Sequence, residues 1–277
     1  MGRAHAVTPG PSTAATHGAR GGGQRFVPRR REMRQMSVRV ERIGLATLIL
    51  GDCRDAFAEI GRVDAVIVDP PYGLDFGYAS YDDSRENLRG LIAGFMPWAT
   101  ANADRVVVLP GITQVFLYPE PDWMMSVCWN TTGSFGSYGF TQWMPVLLYG
   151  NDVNGFGSVN GGVLKSDVIM FSGGEGVGFR REEKIDHPCP KPVNLMDNLI
   201  ARLTKPGDVV ADLFMGSGTT GVAAVRAGRR FTGVELDPGY FATACRRIEQ
   251  AQRQGDLLRG PPPGSEPYPR WAQAGLL

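Results

Sequence analysis

In the stretch VDAVIVDPPYGLDF, residues 63–76, an acid, two prolines and a tyrosine follow directly on a run of apolar residues. Val66, Ile67 and Val68 suit a strand buried on both faces, and Pro70 and Pro71, which cannot donate to a sheet ladder, must end it. Asp69 therefore stands at a strand's carboxyl end, with Tyr72 in a rigid turn just beyond. A carboxylate and an aromatic ring held still by prolines can accept hydrogen bonds from a ligand and stack a planar group beside it. Taken alone, the plainer reading, a helix cap and a core aromatic, is the better one.

A second constellation, residues 207–250, changes that balance. GDVVADLFMGSGTTGVAAVRAGRRFTGVELDPGYFATACRRIEQ reads as a complete βαβα unit. Strand 209–213 leads through a tight loop, 214–218, into a helix over 219–227 that Gly228 ends; strand 230–235 follows, then a helix from Pro238. Gly216 and Gly218 let the backbone turn sharply and approach a ligand, whose polar groups meet the N–H groups at the helix start. Glu235 ends the second strand, where an acid can accept hydrogen bonds from both hydroxyls of a ribose. Strand, GSG loop, helix, strand and acid together are nucleoside-binding geometry. Gly221 stands where a dinucleotide fingerprint has its third glycine, so these residues leave NAD open.

Elements able to position both constellations alternate along the chain. A strand over 46–52 ends at Asp52, CRDAFAEI is a short helix, and DAVIVD is the next strand. Ser84 caps a helix, SRENLRGLIAGFMPWATA, before the strand RVVVLPG. WMMSVCW, residues 123–129, and WMPVLLYG, residues 143–150, form two further strands, the last pair antiparallel. Such alternation predicts an α/β fold, a doubly wound, mostly parallel sheet covered by helices. In that architecture ligands bind beyond the carboxyl ends of strands where the strand order reverses, so the Asp69 and Asp212 strands can bring their loops together although 143 residues separate the two acids.

Composition supplies the bounds. The 277 residues are 43% apolar, ordinary for a globular chain, and no apolar run approaches the roughly 20 residues that span a bilayer. Cys53, Cys128, Cys189 and Cys245 have no CxxC spacing and no secretory segment precedes them, which points to free thiols in a cytoplasm and against a disulfide framework or zinc site. No residue set is assigned to a metal. The net charge of +1 divides unevenly: residues 1–36 hold seven arginines against Glu32, leaving the remainder at −5. A local patch must therefore do any gripping of phosphates. Residues 1–36 are expected to be a disordered basic segment, either a non-specific DNA-binding arm or non-native sequence upstream of a start at Met36. Residues 37–250 form the folded domain, and 251–277 an exposed, flexible tail.

DPPYG, joined to HPCPKPVNLMDNLIARLTKPGDVVADLFMGSGTTGVAAVRAGRRFTGVELDPGYF, resembles the amino-group DNA methyltransferases, enzymes that methylate adenine N6 or cytosine N4 using S-adenosylmethionine. The order, acid loop before cofactor loop, is similar to the circularly permuted beta class. The likeness covers roughly residues 44–110 and 185–250, and Leu213 departs from it where the family usually has proline. It implies a Rossmann-like S-adenosylmethionine-dependent fold with catalytic Asp69, Pro70, Pro71 and Tyr72. Its cofactor-binding residues would be Asp212, Phe214, Gly216, Ser217, Gly218, Thr219 and Glu235. Lys191 matches a family position near the cofactor's amino-acid end, with a solvated lysine as the alternative. Asp52 either approaches the cofactor's adenine or caps the CRDAF helix, and Phe214 packs on the cofactor or on the core. His187 is read as a turn residue.

The resemblance implies double-stranded DNA as partner. Asp69 with the Pro70 carbonyl would accept hydrogen bonds from an exocyclic amine, favouring a nucleophilic nitrogen and stabilising the charge that develops there. The base must flip out to be reached, and Tyr72 is its stacking platform. Asp in the first motif position is typical of adenine N6 enzymes and Ser of cytosine N4 enzymes, so adenine is expected and cytosine N4 is the alternative. A methyltransferase for RNA or protein, which more often carries Asn there, and a catalytically silent DNA-binding relative are disfavoured. Sequence reading falls to a small insertion within 130–182, with Lys165, Arg180 and Arg181 as phosphate contacts. The loop 73–83 is expected to close the site over DNA. A homodimer, a cognate restriction endonuclease, or none in an orphan bacterial or phage enzyme, stay open.

Overall fold

The computed structural model describes residues 39–129, 135–136, 139–150, 166–171 and 191–259. The site is positioned by one nine-stranded sheet. Its strands in chain order are β1 (Arg39–Ile43), β2 (Ala46–Leu50), β3 (Val63–Val68), β4 (Ala103–Val108), β5 (Trp123–Trp129), β8 (Trp143–Tyr149), β9 (Val168–Phe171), β10 (Val209–Asp212) and β11 (Arg230–Glu235); β6 (Phe135–Gly136) and β7 (Gly139–Phe140) form a separate two-stranded ribbon. The spatial order is β1-β2-β11-β10-β3-β4-β8-β5-β9. From β2 to β4 every neighbouring pair is parallel; β1 and β8 run against their neighbours, and β9 lies parallel to β5.

Helices cover both faces, as a doubly wound sheet requires. Along the central strands successive residues bury to opposite sides: Ile67, Val107 and Val210 into one cluster, Val66, Val68, Val106, Val108 and Ala211 into the other. Helices α1 (Cys53–Ile60) and α2 (Arg85–Asn102) pack on the second cluster. Helices α3 (Val193–Leu203), α4 (Thr219–Arg226) and α5 (Pro238–Arg259) pack on the first. Ser84 caps α2 as expected, its side chain accepting from the Asn87 amide. Leu213, the departure from the usual proline, is buried against the α2 side.

Three elements differ from expectation. Strand β1 pairs antiparallel to β2 at the sheet's edge, where the sequence pattern predicts no strand. Within the region assigned to target reading, β9 is part of the sheet rather than loop, because its residues register with Ser126–Trp129 of β5. Helix α5 runs to Arg259, well into the segment expected to be a tail: Ala251 is buried and the Gln252 side chain accepts from the Leu45 amide, so core contacts carry the helix on. Residues 1–38, the remainder of 130–190 with Lys165, Arg180, Arg181 and His187, and residues 260–277 lie outside the described residues. Among the described residues no helix is long and apolar enough to cross a membrane.

Candidate functional site

Strands β3 and β10 are neighbours, with Ala65 opposite Val210 and Val66 opposite Ala211. The connections run outward from this pair in opposite directions, β3 to β4 and β10 to β11, so the crevice beyond their carboxyl ends is the reversal point of the sheet. Asp69 and Asp212 emerge there side by side. A cavity of about 420 Å³ occupies the place, lined by the 69–72 loop, the 212–217 loop, Glu235 and Lys191. Gly51, Asp52 and part of the 73–83 loop complete its wall.

On one side, Asp212 and Glu235 shape the turn around Gly216. The Asp212 carboxylate accepts from the Phe214 amide at 3.0 Å and from the Thr220 hydroxyl at 2.6 Å, closing the strand-to-helix loop from within. Glu235 accepts from the Gly216 amide at 2.9 Å and the Asp237 amide at 2.8 Å, one per oxygen. A carboxylate offers about four acceptor positions, so Glu235 keeps capacity toward the cavity. Burial lifts both acids to about 7, against the hydrogen bonds they accept, which pull downward. Gly216 and Gly218 have φ of 52° and 82°, the left-handed region that favours glycine. Gly221 serves packing: a Cβ there would stand 2.5 Å from Ile248 and 2.7 Å from Phe231. Arg247 of α5 clamps the loop from behind, donating to the Ser217 carbonyl at 2.6 Å and also to the Ser217 and Thr219 hydroxyls.

Opposite, Asp69 is doubly held. Tyr72 donates its hydroxyl to Oδ1 at 2.8 Å, and Lys191 donates Nζ to Oδ2 at 2.6 Å while lying 5.0 Å over the Tyr72 ring. The lysine side chain is only 13% exposed and the aspartate 21%. Burial alone would lower the Lys191 pKa; the Asp69 carboxylate outweighs it and keeps the ammonium charged. Burial, then the neighbouring Asp69, pushes the Tyr72 phenol up, so it stays a neutral donor. Below this trio the buried Asp83 carboxylate accepts from the amides of Gly73, Leu74 and Phe76 and pins the start of the 73–83 loop. Ser80 then donates to Asp237 at 2.7 Å, tying the loop to the opposite rim.

The structure thus brings Asp69, Pro70, Pro71, Tyr72, Asp52, Lys191, Asp212, Phe214, Gly216, Ser217, Thr219 and Glu235 to one cavity; Gly218 supports the turn behind it. Of the two readings of Lys191, a solvated lysine does not fit: its side chain is 13% exposed, pairs with Asp69 and lines the cavity. Tyr72 lines the same cavity and in this state donates to Asp69. Asp52 caps α1, accepting from the Arg54 amide and pairing with the Arg54 guanidinium, and lines the cavity as well. Phe214 packs edge-on against Phe95, ring centroids 5.2 Å apart, and also faces the cavity. Arg247, Asp83 and the Ser80–Asp237 tie were missed; Arg247 and the tie are long-range contacts, Asp83 reaches back seven to ten residues, and all are ordinary polar side chains.

Residues 163–246 match the family model described as DNA methylase. That stretch of the chain is similar to the DNA methylases. It is 48% identical over 63 residues to the type II methyltransferase M2.DpnII of Streptococcus pneumoniae, 23% of this chain and 24% of that protein. With the DNA adenine methyltransferase YhdJ of Escherichia coli K12 it shares 39% over 75 residues, 27% of this chain and 26% of that one. These matches span about a quarter of the relatives' length. The fold likeness is broader: a structure of an M1.HpyAVI–SAM complex aligns with a TM-score of 0.53 at 23% identity over 73% of this chain and 98% of the other. The cytosine-N4-specific PvuII DNA methyltransferase aligns at 0.57 with 16% identity over 77% and 93%. The overall fold is thus shared where the sequence is not.

Proposed function

We propose that this protein transfers a methyl group from S-adenosylmethionine to adenine N6 in double-stranded DNA. The observation that carries the reading is the meeting of the Asp69–Tyr72 loop and the Gly216–Glu235 loop at one cavity at the sheet's reversal point. The residues fit the cofactor: Glu235 retains acceptor capacity for ribose hydroxyls, and the left-handed Gly216 lets backbone approach a ligand closely. When bound, the cofactor supplies an electrophilic methyl on a sulfonium. The chain's part is positioning and charge. Asp69 and the Pro70 carbonyl accept the N–H groups of the amine and stabilise the positive charge growing on its nitrogen. For this, the amine must take the place of the Tyr72 hydroxyl on Oδ1, which frees the ring to stack on the flipped base. Lys191 stays on Oδ2 and holds the carboxylate in orientation.

Leu74 and Phe76, exposed on the 73–83 loop, line the cavity where a DNA strand would pass, in keeping with closure of that loop. Lys165, Arg180 and Arg181 are proposed phosphate contacts from the region between β8 and α3. A homodimer and a cognate restriction endonuclease belong to the same reading, checked by light scattering and by challenging unmethylated DNA.

Expression in a methylation-free host, followed by sequencing that distinguishes N6-methyladenine from N4-methylcytosine, tests the proposal. N6-methyladenine at one motif is expected, and Asp69→Ala should abolish it while the cofactor still binds. N4-methylcytosine would reassign the base; unmodified DNA from a cofactor-binding protein, or full activity of Asp69→Ala, would refute the mechanism.

A further inference from the structure

With the chain after residue 36 at −5, any grip on a phosphate backbone has to come from cations placed locally. Most cations beside the cavity are already engaged: Arg54 pairs with Asp52, Lys191 pairs with Asp69, and Arg247 donates to Ser217. Arg85 and Arg89 are not. Both are exposed on the first two turns of α2, and among the described residues neither guanidinium makes a hydrogen bond or an ion pair. Glu86, about 100° further round the helix from Arg85, pairs with neither, and Asp82 accepts from the Asn87 side chain instead. For the protein alone the placement is poor. A cation at the first position of a helix opposes the helix dipole, and like charges four residues apart on one face repel. Both effects reverse when a polyanion lies against this part of the helix.

Position says which polyanion. Gly73, the residue after Tyr72, has φ 64°, and a Cβ there would stand 3.0 Å from the Arg85 Cα, so the chain leaving the Asp69–Tyr72 loop passes directly against the first turn of α2. The same helix lends Leu91 to the cavity wall. Gly94, which meets Arg54 of α1, lies about 180° round the helix from Arg85 and about 140° from Arg89. Helix α1 packs toward β11, so the two arginines look the other way, over β4 toward β8. Strand β8, antiparallel to β4 with Leu147 opposite Val108, begins on the cavity's side of the sheet at the exposed Trp143. We propose that Arg85 and Arg89 hold phosphates of the target strand beside the nucleotide delivered to the Asp69–Tyr72 loop. A guanidinium meets a phosphate with a pair of parallel N–H donors, and such contacts fix where the strand lies without reading its sequence.

This inference rests on the proposed methyl transfer for the identity of the strand, and the test separates the two. Duplex binding is measured by fluorescence anisotropy between about 50 and 200 mM salt for the unaltered protein, Arg85→Gln, Arg89→Gln and the double variant. Arg42→Gln, which removes the same charge beside the β1–β2 turn at the opposite end of the sheet, is the control. The slope of log affinity against log salt, about 0.9 per phosphate contact, should become shallower by about one for each α2 substitution and about two for both, and hardly change in Arg42→Gln. The change should be the same on duplexes with and without the methylated motif, and S-adenosylmethionine should bind every variant alike. Uncharged methylphosphonates in place of the phosphates on either side of the target nucleotide should weaken binding of the unaltered protein and leave that of the double variant unchanged. Unchanged slopes in the α2 variants, an equal change in Arg42→Gln, or a double variant as sensitive to methylphosphonate as the unaltered protein overturns the inference. Duplex binding with the expected slopes but without methylation refutes the methyl transfer and leaves the phosphate contacts standing; an unaltered protein that binds no duplex overturns both.

Discussion

Replacing Glu235 by glutamine should make the stability of the ligand-free protein less dependent on pH and weaken binding of the proposed cofactor. Burial lifts the Glu235 carboxyl from its ordinary 4.5 to about 7, so at pH 8 the folded protein holds a carboxylate that its surroundings disfavour. Below about pH 4.5 the group is protonated in both folded and unfolded chains and has no effect. Between 4.5 and 7 the unfolded chain has lost the proton and the folded one keeps it, so stability falls as pH rises; above 7 the loss is complete and constant. At about 1.4 kcal/mol per pH unit this amounts to roughly 3 kcal/mol, or about 2 once the partial exposure of the side chain is allowed for. The substituted amide side chain would be neutral at every pH; its oxygen can still accept from one of the Gly216 and Asp237 amides, while its NH2 meets the other, an unfavourable contact of about 1–3 kcal/mol at every pH. The melting temperature of Glu235→Gln relative to the unaltered protein should therefore be more favourable at pH 8 than at pH 5, by roughly 4 °C or more. Titration with S-adenosylmethionine should show weaker binding in the variant, because the carboxylate acceptor is lost. A melting-temperature difference that is the same at both pH values would refute the claim that this acid is held against its preference.

Two further changes probe the opposite rim. Asp83→Ala removes the acceptor shared by the Gly73, Leu74 and Phe76 amides, so about 1–3 kcal/mol of stability should be lost, and limited proteolysis should cut within 73–83 faster; an unchanged digestion pattern would contradict the pinning role. Lys191→Met takes the ammonium from Asp69 and leaves the carboxylate held by Tyr72 alone, so the rate of the proposed methylation at saturating S-adenosylmethionine should fall about tenfold or more. A lysine serving only cofactor affinity would change KM for S-adenosylmethionine and leave that rate in place.

The central sheet was legible because its strands carry local signals. VDAVIVDPP names a buried strand and its end, and VVADLFMGSGTTG a strand, a glycine turn and a helix; both lie in the structure within a residue or two of the expected bounds. Meeting of the two loops followed from a general property of doubly wound sheets, independent of distance along the chain. Less local facts were hidden. Lys191 sits in a proline-rich run without periodicity, and its partner is 122 residues upstream. Nothing in YDDS distinguishes the exposed Asp82 from the buried Asp83. Helix α5 passes Gly255 in a sparsely apolar stretch because Ala251 is buried in the core and Gln252 bonds Leu45, 207 residues earlier in the chain.

Pairing of β3 with β10 also has a consequence during synthesis. One edge of β3 is closed early, by β4, which follows it within the next forty or so residues; the other edge waits for a strand made much later. At about 5–20 residues per second, that interval is roughly seven to thirty seconds, during which VDAVIV presents an open row of amides and carbonyls on a strongly apolar strand. Such a segment is a template for pairing with another chain. The order that places the Asp69 loop before the Gly216 loop therefore leaves β3 open to aggregation on the ribosome until β10 is made, and ties yield in a fast-translating host to how soon β10 arrives.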